Sequence, residues 1–121
     1  GYLNNCQYTA SHRSTSARTK GISDDQMRAV VHEDWSGLSD RYQVALEYTK
    51  ALTLSPAVLG YSEAPQIVDE KLQAELKAQF SDVEILELTM SISVWNALSR
   101  FHRVMGFELD MPEAPEGVKP L

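Results

Sequence analysis

Ser81-Asp82-Val83-Glu84-Ile85-Leu86-Glu87-Leu88-Thr89-Met90-Ser91-Ile92-Ser93-Val94-Trp95-Asn96-Ala97-Leu98-Ser99-Arg100-Phe101-His102-Arg103-Val104-Met105-Gly106 is the stretch that decides the fold. Ser81 and Glu84 stand three apart as a capping box, and acids in a first turn suit the positive end of a helix. Gly106 sits where a terminating glycine belongs, so the spacing predicts one long helix from Ser81 to about Met105. Val83, Leu86, Met90, Val94, Leu98, Phe101 and Met105 form one apolar stripe. Ile85, Leu88, Ile92 and Trp95 form another. A helix apolar on two sides is central in its domain or packs against another subunit, and both are expected here.

Working outward, Leu72, Leu76 and Phe80 mark a helix beginning at Asp69. Residues 53–66, with Pro56, Gly60 and Pro65, read as a loop. Ser39 caps an earlier helix whose expected core stripe is Tyr42, Ala45, Leu46, Thr49 and Leu52. Ser23 and Gln26 make a second capping box, opening a short helix with Met27, Val30 and Val31 on one side. It ends near Asp34, before a turn at Trp35-Ser36-Gly37. The first helix is expected from about Asn4 to Lys20, closed by Gly21. No alternating strand pattern competes, so the expected fold is all-α, with about five helices in one domain over residues 1–110. The remainder, 111–121, holds Pro112, Pro115 and Pro120 and is expected as an extended tail, lying over a neighbour or disordered.

Composition narrows the function classes. The 121 residues are 43% apolar and 23% charged, with a formal charge of −6, which argues against a nucleic-acid or anionic-membrane partner. One cysteine leaves no intrachain disulfide, and cytoplasmic residence is the simplest expectation. No apolar run approaches a membrane span, and no basic-then-apolar leader opens this sequence. His12, His32 and His102 lack metal-ligand spacing, so no metal site is expected. No phosphate loop, nucleophile elbow or dinucleotide fingerprint is present, and no cofactor is expected.

The chemistry-bearing segment is Asn4-Asn5-Cys6-Gln7-Tyr8-Thr9-Ala10-Ser11-His12-Arg13. With Asn4 or Asn5 as N-cap, Cys6 falls in the first helical turn, where unpaired N–H groups and the helix dipole favour a thiolate. Thr9 follows one turn on. Arg13 returns to within about 20° of Cys6 around the helix, while His12 points about 120° away. Arg13 would stabilise a thiolate or hold a substrate carboxylate. Tyr8 offers a hydroxyl to a ligand at a subunit boundary. The competing reading of Cys6 is a small buried apolar side chain, and of Arg13 a solvated charge. His102 reads as a surface cation near a helix C-terminus.

Several stretches together are similar to one known family. Cys6-Gln7-Tyr8 opens a helix followed by Gly21-Ile22-Ser23-Asp24-Asp25. Leu38-Ser39-Asp40-Arg41 leads to Ala45-Leu46-Glu47-Tyr48-Thr49-Lys50-Ala51-Leu52-Thr53. Phe80-Ser81-Asp82-Val83-Glu84-Ile85-Leu86-Glu87-Leu88-Thr89 precedes Asn96-Ala97-Leu98-Ser99-Arg100-Phe101. In this order, over about residues 3 to 110, the chain resembles the carboxymuconolactone decarboxylase and alkyl hydroperoxidase D-like family. The resemblance implies an all-helical bundle assembled as a homo-oligomer, usually a trimer or hexamer. It implies either cofactor-free decarboxylation of lactone acids or peroxide reduction through a Cys-x-x-Cys pair, a histidine four residues later and an upstream glutamate. Cys6 matches the first cysteine; Thr9 stands at the second and Arg13 at the histidine, with His12 one place early. The glutamate would precede Gly1, so the sequence reads as beginning inside the motif. The resemblance also makes Asn96 and Arg100 look like structural ties.

Three functions follow as expectations. The first is a thiol-dependent antioxidant activity on a small-molecule substrate, with catalytic Cys6, His12 and Arg13, substrate-binding Tyr8 and Thr9, and an external thiol reductant in place of the missing second cysteine. The second is a cofactor-free enzyme on a small carboxylic acid, with Arg13 holding the carboxylate and His12 moving a proton. The third is a non-catalytic oligomeric binding protein.

Overall fold

The computed structural model describes residues 1–54 and 68–120. Among them it is all-helical: α1 (Gln7–Thr19), α2 (Asp24–Val31), α3 (Asp40–Leu54), α4 (Glu70–Gln79) and α5 (Asp82–Met105). The all-α architecture of five helices is the one that the periodicity requires. Of the expected loop at 53–66, Thr53 and Leu54 close α3, and the rest lies outside the described residues.

Local chemistry sets most helix boundaries. Ser23 Oγ accepts from the Gln26 N–H at 3.2 Å, and the Gln26 side chain accepts from the Ser23 N–H at 2.8 Å. Ser81 and Glu84 make the same reciprocal pair at 3.3 and 2.8 Å. Asp69 caps α4 through Leu72 N, and Ser39 Oγ accepts from Tyr42 N. At the end of α1, Gly21 takes φ +82°, while Ile22 N and Gly21 N reach back to Ala17 O and Arg18 O. That is a Schellman closure. The end of α2 has the same 6→1 bond, Asp34 N to Ala29 O, but Glu33 occupies the left-handed position at φ +61°.

The chain divides into two compact units. One comprises Leu38–Ser93, thus α3, α4 and the first half of α5. Its core is Tyr48, Leu76 and Ile92, with Val44, Leu52, Leu72, Phe80, Ile85 and Leu88 against it. The α3 stripe is therefore rotated from the expected one. Tyr42 is 66% exposed, whereas Tyr48 is buried and its hydroxyl lies 2.6 Å from Thr89 Oγ1. Val44, Tyr48 and Leu52 recur every four residues and bring that hydroxyl to its partner on α5. Arg41 lays its guanidinium 4.0 Å from the Phe80 ring centroid and binds Glu84 at 2.7 Å, tying α3 to the start of α5.

The other unit comprises Gly1–Gly37 and Val94–Leu121, with α1, α2, the second half of α5 and the tail. Ala10 and Met27 pack with Ala114 and Val118. The described part of the expected tail therefore packs on its own chain. Ala114 N donates to Ser11 Oγ at 2.9 Å, and Gln7 Nε2 donates to Glu113 at 3.1 Å. A turn at Gly117, φ +81°, lies against Arg28 and His32.

The two stripes of α5 have different fates. Ile92 is buried and Ile85, Leu88 and Trp95 are half-buried. Val83, Leu86, Met90, Val94, Phe101 and Met105 are exposed.

Candidate functional site

Cys6 is the N-cap of α1 and not a residue of its first turn, as Asn4 or Asn5 capping would have made it. The reason is local. Asn5 takes a left-handed conformation, φ +50°, and closes a turn through its N–H to Tyr2 O at 2.9 Å. Asparagine tolerates that conformation better than most residues. Cys6 then takes extended dihedrals, φ −107° and ψ +99°, and α1 starts at Gln7. Thr9 becomes the third helical residue, whose N–H an N-cap side chain ordinarily satisfies. Here the acceptor is sulfur: Thr9 N donates to Cys6 Sγ at 3.5 Å.

The thiol has a second partner. Cys6 Sγ donates to Thr9 Oγ1 at 3.3 Å, and Thr9 Oγ1 lies 3.0 Å from His102 Nδ1. Cys6 and Thr9 are each 1% exposed. An unbroken hydrogen-bonded chain thus joins a buried thiol to an imidazole 96 positions along the sequence.

Two asparagines hold α5 to this turn. Asn4 Nδ2 donates to Asn96 Oδ1 at 2.7 Å, and Arg103 donates to Asn4 O at 3.1 Å. Asn96 is buried and Arg100 exposed, so the tie runs through Asn4, not through an Asn96–Arg100 pair. The His102 ring is flanked by Tyr8 at 4.7 Å, Phe107 at 5.3 Å and Phe101 at 6.3 Å between centroids. Tyr8's phenol is held above its ordinary value by partial burial and then by the carboxylate of Asp110, to which it is hydrogen-bonded. Tyr8 therefore remains a neutral donor at neutral pH.

His12 and Arg13 are exposed on α1. The Arg13 guanidinium lies 4.6 Å from the Trp95 ring centroid, a cation–π contact. His12 lies between Tyr8, at 6.4 Å with rings nearly parallel, and Trp95, at 6.2 Å. The structure therefore gathers Cys6, Thr9 and Tyr8 around His102, and groups His12 and Arg13 on Trp95.

His102 is the residue that sequence reasoning passed over as a surface cation; it is half-buried and bonded to Thr9. A signal for it exists in the sequence. Asn96, Ser99 and His102 recur every three residues on a helix otherwise striped with apolar side chains. Ser99 on that line is fully buried, and among the described residues its Oγ has no hydrogen-bond partner. Among the described residues no group of three or more His, Cys, Asp or Glu side chains is placed to hold a metal ion. None of their helices is long and apolar enough to cross a membrane.

The chain is similar to the uncharacterized protein YnjA of Escherichia coli (strain K12), 29% identical over 103 residues. The match covers 83% of this chain and 50% of that protein, so the chain spans about half the length of the curated relative it matches. No family model matches the chain, and no solved structure matches it.

Proposed function

We propose that this chain is a thiol-dependent antioxidant protein related to the carboxymuconolactone decarboxylase and alkyl hydroperoxidase D-like family, with Cys6 as its nucleophile. One observation carries the reading: Sγ of Cys6 caps α1, receives the Thr9 N–H, and has its own proton directed at a hydroxyl. A helix N-terminus is where negative charge on sulfur is best tolerated. In the reaction, Sγ attacks the distal oxygen of a hydroperoxide. The O–O bond breaks, Cys6 becomes a sulfenic acid, and the departing alkoxide or hydroxide takes a proton to leave as alcohol or water.

Thr9 replaces a resolving sulfur, so the sulfenic acid is resolved by an external thiol. That thiol forms a mixed disulfide with Cys6 and releases water. A second thiol then regenerates Cys6 and departs in a disulfide. Such a cycle suits the reducing cytoplasm. Burial of Sγ favours hydrogen peroxide over bulky lipid hydroperoxides. The exposed apolar row along α5 supports self-association, and the family resemblance favours a trimer or hexamer.

Intact-protein mass before and after stoichiometric hydrogen peroxide, with a sulfenic-acid trap, tests the reading. One trappable oxygen on Cys6, absent from Cys6→Ser, is the expected result. An inert Cys6 refutes it and shifts the chemistry to carboxylic-acid substrates at His12 and Arg13, or to binding alone.

A further inference from the structure

We propose that His102 is the base for the Cys6 thiol, acting through the hydroxyl of Thr9. The inference rests on Cys6 being the reacting group of the function proposed above. His102 acts on the sulfur only through Thr9, and is in that sense a positioning residue.

The geometry carries the step. Sγ to Oγ1 is 3.3 Å and Oγ1 to Nδ1 is 3.0 Å, both within reach of direct proton transfer. A hydroxyl is at once donor and acceptor, so Thr9 can receive one proton while giving up another. The S–H bond breaks as a new Oγ1–H bond forms. The original Oγ1–H bond breaks as Nδ1–H forms. The net result is a thiolate and an imidazolium, with the Thr9 hydroxyl now donating to sulfur and the imidazolium donating to oxygen. No atom or electron is gained or lost. When the peroxide O–O bond breaks, the same route returns the proton from His102 toward the leaving oxygen.

Two further features fit a working relay. The His102 ring lies against Tyr8 and Phe107 at 4.7 and 5.3 Å between centroids, contacts that favour the orientation in which Nδ1 meets Thr9. Independently, Ser99 lies one turn before His102, on the face of α5 whose neighbours Asn96, His102 and Arg103 all bond to the Asn4–Thr9 segment. Among the described residues its buried Oγ has no hydrogen-bond partner. Buried hydroxyls are normally satisfied, and an orphan on this face of α5 leaves a donor free for a small polar ligand. The titratable and charged groups around the relay are Arg103 at Asn4 O, and Tyr8 with Asp110.

The test compares Thr9→Val, Thr9→Ser, His102→Gln and the Thr9→Val/His102→Gln double variant. Two rates are read: reaction of Cys6 with a small methanethiosulfonate, and its oxidation by hydrogen peroxide. General-base assistance is worth about 10²–10⁴-fold, so Thr9→Val and His102→Gln each lose at least ~10-fold near neutral pH. The double variant loses no more than either single one, because both break one relay. Thr9→Ser recovers the rate relative to Thr9→Val. The deficit closes as pH rises, since bulk base then removes the same proton. A purely structural role shares the first two of the last three results but predicts that the deficit persists as pH rises. Additive losses, or a His102→Gln rate equal to wild type, overturn the relay. The methanethiosulfonate arm keeps the two proposals apart: a relay pattern there without peroxide consumption preserves the relay and removes the antioxidant reading.

Discussion

Replacing Cys6 with Ser separates stability from reactivity. Sulfur is a weak hydrogen-bond acceptor, and serine is among the preferred N-cap residues. At Cys6 the cap bond is long, 3.5 Å from Thr9 N to Sγ. A serine hydroxyl keeps both partners, accepting from Thr9 N and donating to Thr9 Oγ1, so its burial leaves no polar group orphaned. Removing a good cap costs about 0.5–2 kcal/mol, and a sulfur cap supplies only part of that. Cys6→Ser is therefore expected to match wild type or gain up to ~1 kcal/mol. Cys6→Ala is expected to lose ~1 kcal/mol, from the lost cap bond and the missing sulfur volume. For a chain of this length 1 kcal/mol corresponds to a Tm shift of roughly 3–6 °C. Thermal and urea unfolding of the three proteins under reducing conditions reads these differences. The same Cys6→Ser protein should be unreactive to peroxide. A loss above ~1 kcal/mol in Cys6→Ser would refute the reasoning, since sulfur would then be there for apolar packing, worth more than its cap bonds.

Three further outcomes follow from other parts of the chain. Gly21→Ala should lose ~1 kcal/mol, read by urea unfolding, because φ +82° is a left-handed conformation that alanine adopts only with strain. Glu84 is held below the usual carboxylate range by the Ser81 backbone N–H and then by Arg41, so its contribution is present above the unfolded value of 4.5 and lost as pH falls through its lower folded value. Acid unfolding of Glu84→Gln should accordingly depend less steeply on pH below that range. Finally, Leu86→Glu, at a position 67% exposed on α5, should leave thermal stability within ~0.5 kcal/mol when folded as a monomer and shift sedimentation toward that monomer; unchanged sedimentation would remove the proposed self-association.

The legible part of the fold is the local part. Ser23 with Gln26, Ser81 with Glu84, and Asp69 with Leu72 satisfy their bonds within one turn, so adjacent residues predict them. The buried face of α3 is different. Whether Tyr42 or Tyr48 points inward depends on Thr89, 41 positions beyond Tyr48. The candidate site divides in the same way. Cys6, Tyr8 and Thr9 lie within one turn and could be read as a group. The start of α1 could not be, because it depends on the left-handed Asn5. His102 meets Thr9 across 93 positions, so only the polar line along α5 hinted that this face is not simple core.

The tail bears on the order in which the chain can fold as it is synthesised. Ser11 waits for Ala114, and Ala10 and Met27 wait for Ala114 and Val118, to complete their core. The Leu38–Ser93 unit is contiguous in the chain and is made between these halves. Emerging from a ribosome, that middle piece can close on itself while the first thirty-seven residues still lack their partners. The turn that carries Cys6 is then completed only after Asn96, His102 and Arg103 of α5 have emerged, later than the whole of the middle unit.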